Sequence, residues 1–219
     1  MKYLLLALLI LNAHAEVQLQ FFFFNAPSDA PKEVMALFNR KSEPLPVKLP
    51  KRFFSPTVKI PTGVKTLYFL PSEYKIGKEL PEGMPSINIP KGAQKLLVLA
   101  SPDKANSLLP IKFITINAND DTFGRGDLMF INSTTQAIAG NVGSKELKLS
   151  PKKFLKLRKP AKSGETYPVE LNSYTREGEK QLLVKRNWQY SDITRQLIFF
   201  YHDEHRKKTA MYAAPVYGM

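Results

Sequence analysis

His202-Asp203-Glu204-His205 puts two imidazoles and two carboxylates within four residues, the donor types that bind Zn²⁺ and other divalent cations. Such a set would serve a metal-dependent hydrolase. The spacing argues the other way. In the HExxH motif the histidines stand at i and i+4 on a helix, whereas His202 and His205 stand at i and i+3 in a polar segment that reads as a hairpin turn. Arg206-Lys207-Lys208 follows directly and would repel a metal ion. A solvated loop is the simpler reading, with a metal site at His202 and His205 as the alternative. The chain has no Cys, and no Ser, His and Asp stand in the context of a triad. No catalytic residue and no cofactor is expected, and the chain is read as a non-enzyme.

Two other constellations point to binding. Arg186, Trp188 and Tyr190 alternate, so in a strand they share one face, an aromatic-plus-cation surface suited to a sugar or an anionic polymer. Leu182 and Val184 fall on the same face, which makes a core Trp edged by Arg186 the competing reading. Lys152, Lys153, Lys156, Arg158, Lys159 and Lys162 form a basic stretch, with a counterpart in Lys48, Lys51 and Arg52. Alternation sets Lys153, Leu155 and Leu157 to one side and Lys152, Phe154, Lys156 and Arg158 to the other, a basic stripe with one aromatic. Two such ridges would grip one extended anionic chain, the second contact aided by effective concentration. Lysines that guard sheet edges against aggregation explain the pattern without a ligand. Gly124-Arg125-Gly126 lacks the strand-to-helix context of a dinucleotide loop. Asn132-Ser133-Thr134 is a glycosylation sequon, relevant only in a eukaryotic secretory pathway.

These residues need elements to hold them, and a route to where they work. Met1-Lys2, the apolar run 3–11 and the small-residue exit Ala13-His14-Ala15 before Glu16 read as a secretory signal peptide over 1–15. The run is far shorter than the ~20 residues that span a bilayer, and no later stretch is long and apolar enough to be a transmembrane segment. Without Cys there is neither a disulfide nor a bacterial lipid anchor, so the exported chain holds itself by core burial. Removing 15 of 219 residues leaves 204, enough for one large or two small cores. The signal segment holds Lys2 and no acid, so the formal net charge of +13 becomes +12. That surplus favours anionic partners such as acidic glycans, phosphate-rich envelope polymers, nucleic acid or anionic lipid. High charge for solubility alone is the plainer explanation.

Short apolar runs bounded by Pro, Gly, Asn, Asp or Ser are the pattern of an all-β protein. Strands are expected at 18–25, 34–38, 45–49, 57–60, 65–70, 86–89, 95–100 and 111–117. A second series is expected at 127–132, 137–142, 146–149, 154–157, 167–171, 181–190, 195–201 and 209–213. The helix formers in 32–38 leave a helical turn open there. The two series match in order: 21–25 with 128–132, 47–54 with 147–155, 95–99 with 196–200, and 111–115 with 208–212. The fold expected is therefore two tandem immunoglobulin-like β-sandwich modules, 16–118 and 122–219, joined by the polar, turn-rich segment 117–122.

The second module carries Gly126-Asp127-Leu128-Met129-Phe130-Ile131-Asn132-Ser133-Thr134, then Lys148-Leu149-Ser150-Pro151, Tyr167-Pro168-Val169, Trp188 and Arg195-Gln196-Leu197-Ile198-Phe199-Phe200. Over roughly 110–215 this pattern resembles uncharacterised exported proteins of Planctomycetes–Verrucomicrobia-type bacteria. The likeness implies a Gram-negative-type envelope or secretion, and carries over no activity, cofactor or site residue. The architecture is also similar, by analogy alone, to periplasmic pilus chaperones. A chaperone-like role would need an exposed hydrophobic edge strand, for which Phe21-Phe22-Phe23-Phe24 is the candidate. The expectation is an exported, non-enzymatic binding or structural protein, periplasmic or extracellular. Its expected partners are an anionic envelope polysaccharide or another envelope protein. The candidate contacts are Lys51, Arg52, Lys152, Lys156, Arg158, Arg186, Trp188 and Tyr190.

Overall fold

The structure, a computed structural model, describes residues 16–38, 43–75, 80–203 and 206–218. The expected signal peptide, and Glu204 and His205 of the candidate metal cluster, lie outside the described residues. Sixteen strands and no helix are found among those described. The first eight are β1 (Glu16–Phe23), β2 (Glu33–Leu37), β3 (Leu45–Lys48), β4 (Val58–Pro61), β5 (Thr66–Pro71), β6 (Ser86–Asn88), β7 (Lys95–Pro102) and β8 (Ile111–Asn117). The next are β9 (Leu128–Asn132), β10 (Ala137–Val142), β11 (Lys145–Leu149), β12 (Phe154–Leu157), β13 (Thr166–Tyr174), β14 (Lys180–Gln189), β15 (Arg195–Asp203) and β16 (Lys208–Val216). The all-β reading holds, and each expected strand is present. Residues 33–37 are extended because Val34 and Ala36 alternate into a core, which overrides local helix propensity.

Each module is a sandwich of two four-stranded sheets. In the first, β4-β1-β7-β8 faces β3-β2-β5-β6; in the second, β12-β9-β15-β16 faces β11-β10-β13-β14. Strand order and direction repeat without exception, including the parallel pairs β1 with β7 and β9 with β15. Phe21, Val98 and Phe69 are among the residues filling the first core, and Phe130, Ile198 and Val169 the second.

Hydrogen bonds define the repeat more closely than sequence does. Phe23 N donates to Pro50 O (2.8 Å) and Phe24 N to Ala100 O (2.9 Å), as Asn132 N donates to Lys153 O (2.9 Å) and Ser133 N to Phe200 O (2.9 Å). Phe23 is thus the counterpart of Asn132, and the match of 21–25 to 128–132 is displaced by two residues. The match of 95–99 to 196–200 is one residue off. Leu96 and Val98 face their own core, while Leu197 and Phe199 face the neighbouring module. The match of 111–115 to 208–212 slips likewise, since Phe113 faces inward and Met211, not Ala210, belongs to the second core. A one-residue slip reverses every side chain, and strands apolar on both faces do not reveal it.

Those two-sided strands exist because the modules stack. Phe22, Leu97 and Leu99 of the first module and Met129, Leu197, Phe199, Ala214 and Val216 of the second form a third buried layer, with Phe54 and Phe123. The molecule is therefore four sheets deep, and its two inner sheets are covered on both faces, which parallel-containing sheets favour. Each Phe or Leu removed from water here contributes about 1.5–3 kcal/mol. The expected edge strand is an interior one: β1 lies between β4 and β7. Phe21 and Phe23 fill the first core and Phe22 the layer between modules, so this run offers no strand edge to a partner.

The connecting segment is packed rather than free. Asn119 Oδ1 accepts from Gln94 N (2.9 Å) and Lys95 N (3.0 Å), and its Nδ2 donates to Gly92 O (3.1 Å). Phe123 is wholly buried between the sheets. Arg195 Nε donates to Phe123 O (2.6 Å), fastening the segment to the start of β15.

Candidate functional site

Strand direction brings the two basic loops to one end of the molecule. Phe22 stacks on Phe199 (5.5 Å) and Tyr212 (6.0 Å), while Phe24 stacks on Phe199 (4.4 Å) and meets Tyr201 edge-on (5.5 Å). Advancing along β1 therefore advances along β15, and their C-terminal ends lie together. β9 runs parallel to β15 and ends there too.

At this end the β3–β4 connection carries Lys51-Arg52-Phe53, and the β11–β12 connection carries Lys152-Lys153, with Phe154 opening β12. The connections are tied to the ends of β1 and β9 by the hydrogen bonds to Pro50 O and Lys153 O. Their lysines act alike: Lys51 Nζ donates to Ser28 O (3.2 Å) and to Pro27 O, and Lys152 Nζ to Ser133 O. Lys51 lines a small cleft with Phe24, Tyr201 and Tyr212, whose hydroxyl donates to Arg52 O. Lys152 borders His202 and Thr209 on one side and Arg176 on another. Arg206, Lys207 and Lys208 of the β15–β16 turn add to the positive charge, against Asp29, Glu177, Glu179 and Asp203. Phe53 is 63% exposed and Phe154 73%. Each directly follows two cations in the sequence.

The second ridge divides. Lys156 Nζ reaches back to Thr122 O, and the Arg158 guanidinium donates to Asp121 O (2.8 Å), so both side chains clasp the segment joining the modules. Lys152 lies beyond the end of β9 as Lys51 and Arg52 lie beyond the end of β1, whereas Lys156 and Arg158 turn to the connecting segment.

Arg186, Trp188 and Tyr190 are not one surface. Tyr190 is buried in the second core, and Trp188 packs against it, 6.3 Å from Tyr167 in an edge-on pair. Burial, with Asp192 and Asp127 nearby, holds the Tyr190 phenol above its ordinary pKa. Gly126, at φ +82°, makes room for that ring, since a Cβ there would sit 2.1 Å from the Tyr190 hydroxyl. Arg186 alone is exposed. Leu182 also departs from the expected inward face. The ladder passes from Leu171 opposite Val184 to Asn172 opposite Leu182, so Leu183 is an extra residue in a bulge. Leu183 packs on the core and Leu182 turns out, 55% exposed.

His202 stands on β15 opposite Thr209 with its side chain exposed, and its expected partner His205 lies outside the described residues. Asp203 accepts from Arg206 N (3.1 Å) and lies 3.6 Å from the guanidinium. Among the described residues no three His, Asp or Glu side chains gather as a metal site would require. The sequon amide is buried: Asn132 Nδ2 donates to Gln136 O (2.8 Å), Ser150 O (3.2 Å) and Leu149 O (3.3 Å). It has no room for a glycan in the folded chain.

Sequence reasoning passed over Phe53, although the order basic, basic, Phe in both loops was the signal for it. It also passed over Arg195, the largest fully buried side chain among those described. A cleft of ≈ 1020 Å³, bordered by Gln18, Asn88 and Lys95, opens at the other end, where β1 and β7 begin. No protein-family model matches this chain, and no curated protein matches it either.

Proposed function

We propose that this chain is an exported, non-enzymatic binding or structural protein of the cell envelope, contacting an anionic partner through its basic end. The observation that carries the reading is the pair of segments Lys51-Arg52-Phe53 and Lys152-Lys153-Phe154, set at the same end of the stacked double sandwich. None of those four cations has a carboxylate partner among the described residues. Their field adds to a net charge of +12 after loss of the expected signal peptide. Immunoglobulin-like identity of the two sandwiches, secretion by way of residues 1–15 and residence in the periplasm or outside the cell belong to the same proposal.

Two measurements test it. N-terminal sequencing of protein recovered from outside the cytoplasm is expected to begin at or near Glu16; an intact Met1 end there sinks the export reading. Heparin is expected to retain the protein, with retention falling steeply as salt rises, and reversal of charge at Lys51, Arg52, Lys152 and Lys153 is expected to abolish it. Retention equal to the parent in that variant sinks the assignment of the basic end.

A further inference from the structure

We propose that the basic end docks on an anionic lipid bilayer, with Phe53 and Phe154 entering the boundary between headgroups and acyl chains. The proposal rests on the reading of this end as the contact with an anionic partner, and it names that partner. Three observations favour a lipid surface over a polymer. The exposed aromatics are phenylalanines, which have no polar handle to offer a sugar or a phosphate and lose solvent contact only in an apolar environment. Phe53 stands in the β3–β4 loop and Phe154 opens the edge strand β12, and both rings are left free to meet a surface. Each Phe directly follows two cations, whose long side chains can lie toward the headgroups while the ring passes deeper.

The stacked modules make the two basic segments act together. The layer of Phe22, Leu97, Leu99, Met129, Leu197 and Phe199 holds the sandwiches in one relation. Contact at one basic segment therefore holds the other near the membrane at high effective concentration. Arg176, Arg206 and Lys208 add positive charge at the same end without needing contact of their own.

The test uses the chain from Glu16 onward, which contains every described strand and lacks the apolar run 3–11. Flotation with vesicles of phosphatidylcholine containing phosphatidylglycerol is expected to carry the protein, and pure phosphatidylcholine vesicles are not. Phe53→Ala with Phe154→Ala is expected to weaken vesicle binding roughly tenfold or more while leaving the circular dichroism spectrum unchanged. In a Trp188→Phe background, Phe53→Trp and Phe154→Trp each report insertion as a blue shift of emission on adding phosphatidylglycerol vesicles. A double-alanine variant that floats like the parent, or tryptophans with unshifted emission, overturns the insertion. Retention on heparin without any flotation overturns the lipid surface and leaves the anionic-partner reading standing. Absence of both overturns the two together.

Discussion

Arg195 and Asp120, 75 residues apart in sequence, form an ion pair where the two sandwiches join. The guanidinium is 2% exposed and the carboxylate 64%, so one member of the pair is held by the protein and the other by water as well. Arg195 also donates to the buried Phe123 carbonyl, which makes it the pin of the connecting segment. Lys95 Nζ, 3.2 Å from Asp120, comes first among the causes that keep that carboxyl below its ordinary pKa; partial desolvation opposes, and the charges of Lys95, Arg195 and Arg125 assist.

Arg195→Met is expected to cost about 1–3 kcal/mol, because it removes the donor to a buried carbonyl. Asp120→Asn is expected to cost about 1 kcal/mol or less, as an exposed member of a pair does. A carboxylate with a depressed folded-state pKa contributes stability above its unfolded value, near 3.9, and loses it as pH falls through the folded one. Asp120→Asn should therefore flatten the acid limb of stability below about pH 4. Urea midpoints measured at several pH values check both, and an unchanged acid limb in Asp120→Asn contradicts the assignment.

The layer between the modules is as apolar as a domain core, so the protein is expected to unfold in one calorimetric transition. Phe22→Ala removes a ring stacked on Phe199 and Tyr212 and packed on Phe54. Its expected cost is about 3–5 kcal/mol. Phe22→Asp, which buries a charge in that layer, is expected to split the transition in two as the sandwiches part. Two transitions in the parent protein would contradict the idea that the modules fold as one unit.

Gly126 and Tyr190 form a matched pair. Gly126→Ala introduces a methyl 2.1 Å from the Tyr190 hydroxyl at a backbone φ of +82°, and is expected to cost about 2 kcal/mol or more. The buried Tyr190 hydroxyl has no hydrogen-bond partner among the described residues, so Tyr190→Phe is expected to change stability by about 0.5 kcal/mol or less. Added to Gly126→Ala, it should recover part of the loss. Strict additivity in chemical denaturation of the double variant would refute the contact.

Tyr167 gives an alkaline signature. Burial first, and the neighbouring Tyr190 second, push its phenol up to about 12. The folded state thus holds this proton more tightly than the unfolded one. The associated stability is whole below pH ~10 and is lost as pH rises toward the folded value. Absorbance titration of the parent against Tyr167→Phe should show one tyrosine missing from the late-ionising group, with a less steep fall of Tm above pH ~10 in the variant. Matching titrations in the two proteins would contradict the burial of this ring.

Much of this architecture was legible from alternation alone. Leu147 and Leu149 have polar neighbours on the opposite face, Glu146 and Lys148 among them, and period two then states both the strand and its inward side. The order of turns and strands likewise exposed the repeat. Register was not legible in 95–99 or 196–200, where both faces are apolar and a shift of one residue leaves the pattern unchanged. Nor could alternation show the bulge at Leu183, which turns Leu182 outward by adding one residue to a ladder only the partner strand defines.

The candidate site divides the same way. That Lys51, Arg52, Lys152 and Lys153 precede phenylalanines in matching loops is a property of the sequence, as is the positive charge. That Lys152 lies at the same end as Lys51 while Lys156 and Arg158 turn to the connecting segment depends on where strands end in space. By itself the sequence determined which segments are strands, that they recur twice and that the surface is basic, because backbone sterics and burial act over a few residues. The stacking of the modules through Phe22 and Phe199, the burial of Arg195 and the gathering of two loops at one end were decided only by tertiary structure. Those relations come from residues about 50–180 positions apart, and no local pattern encodes which apolar face meets which.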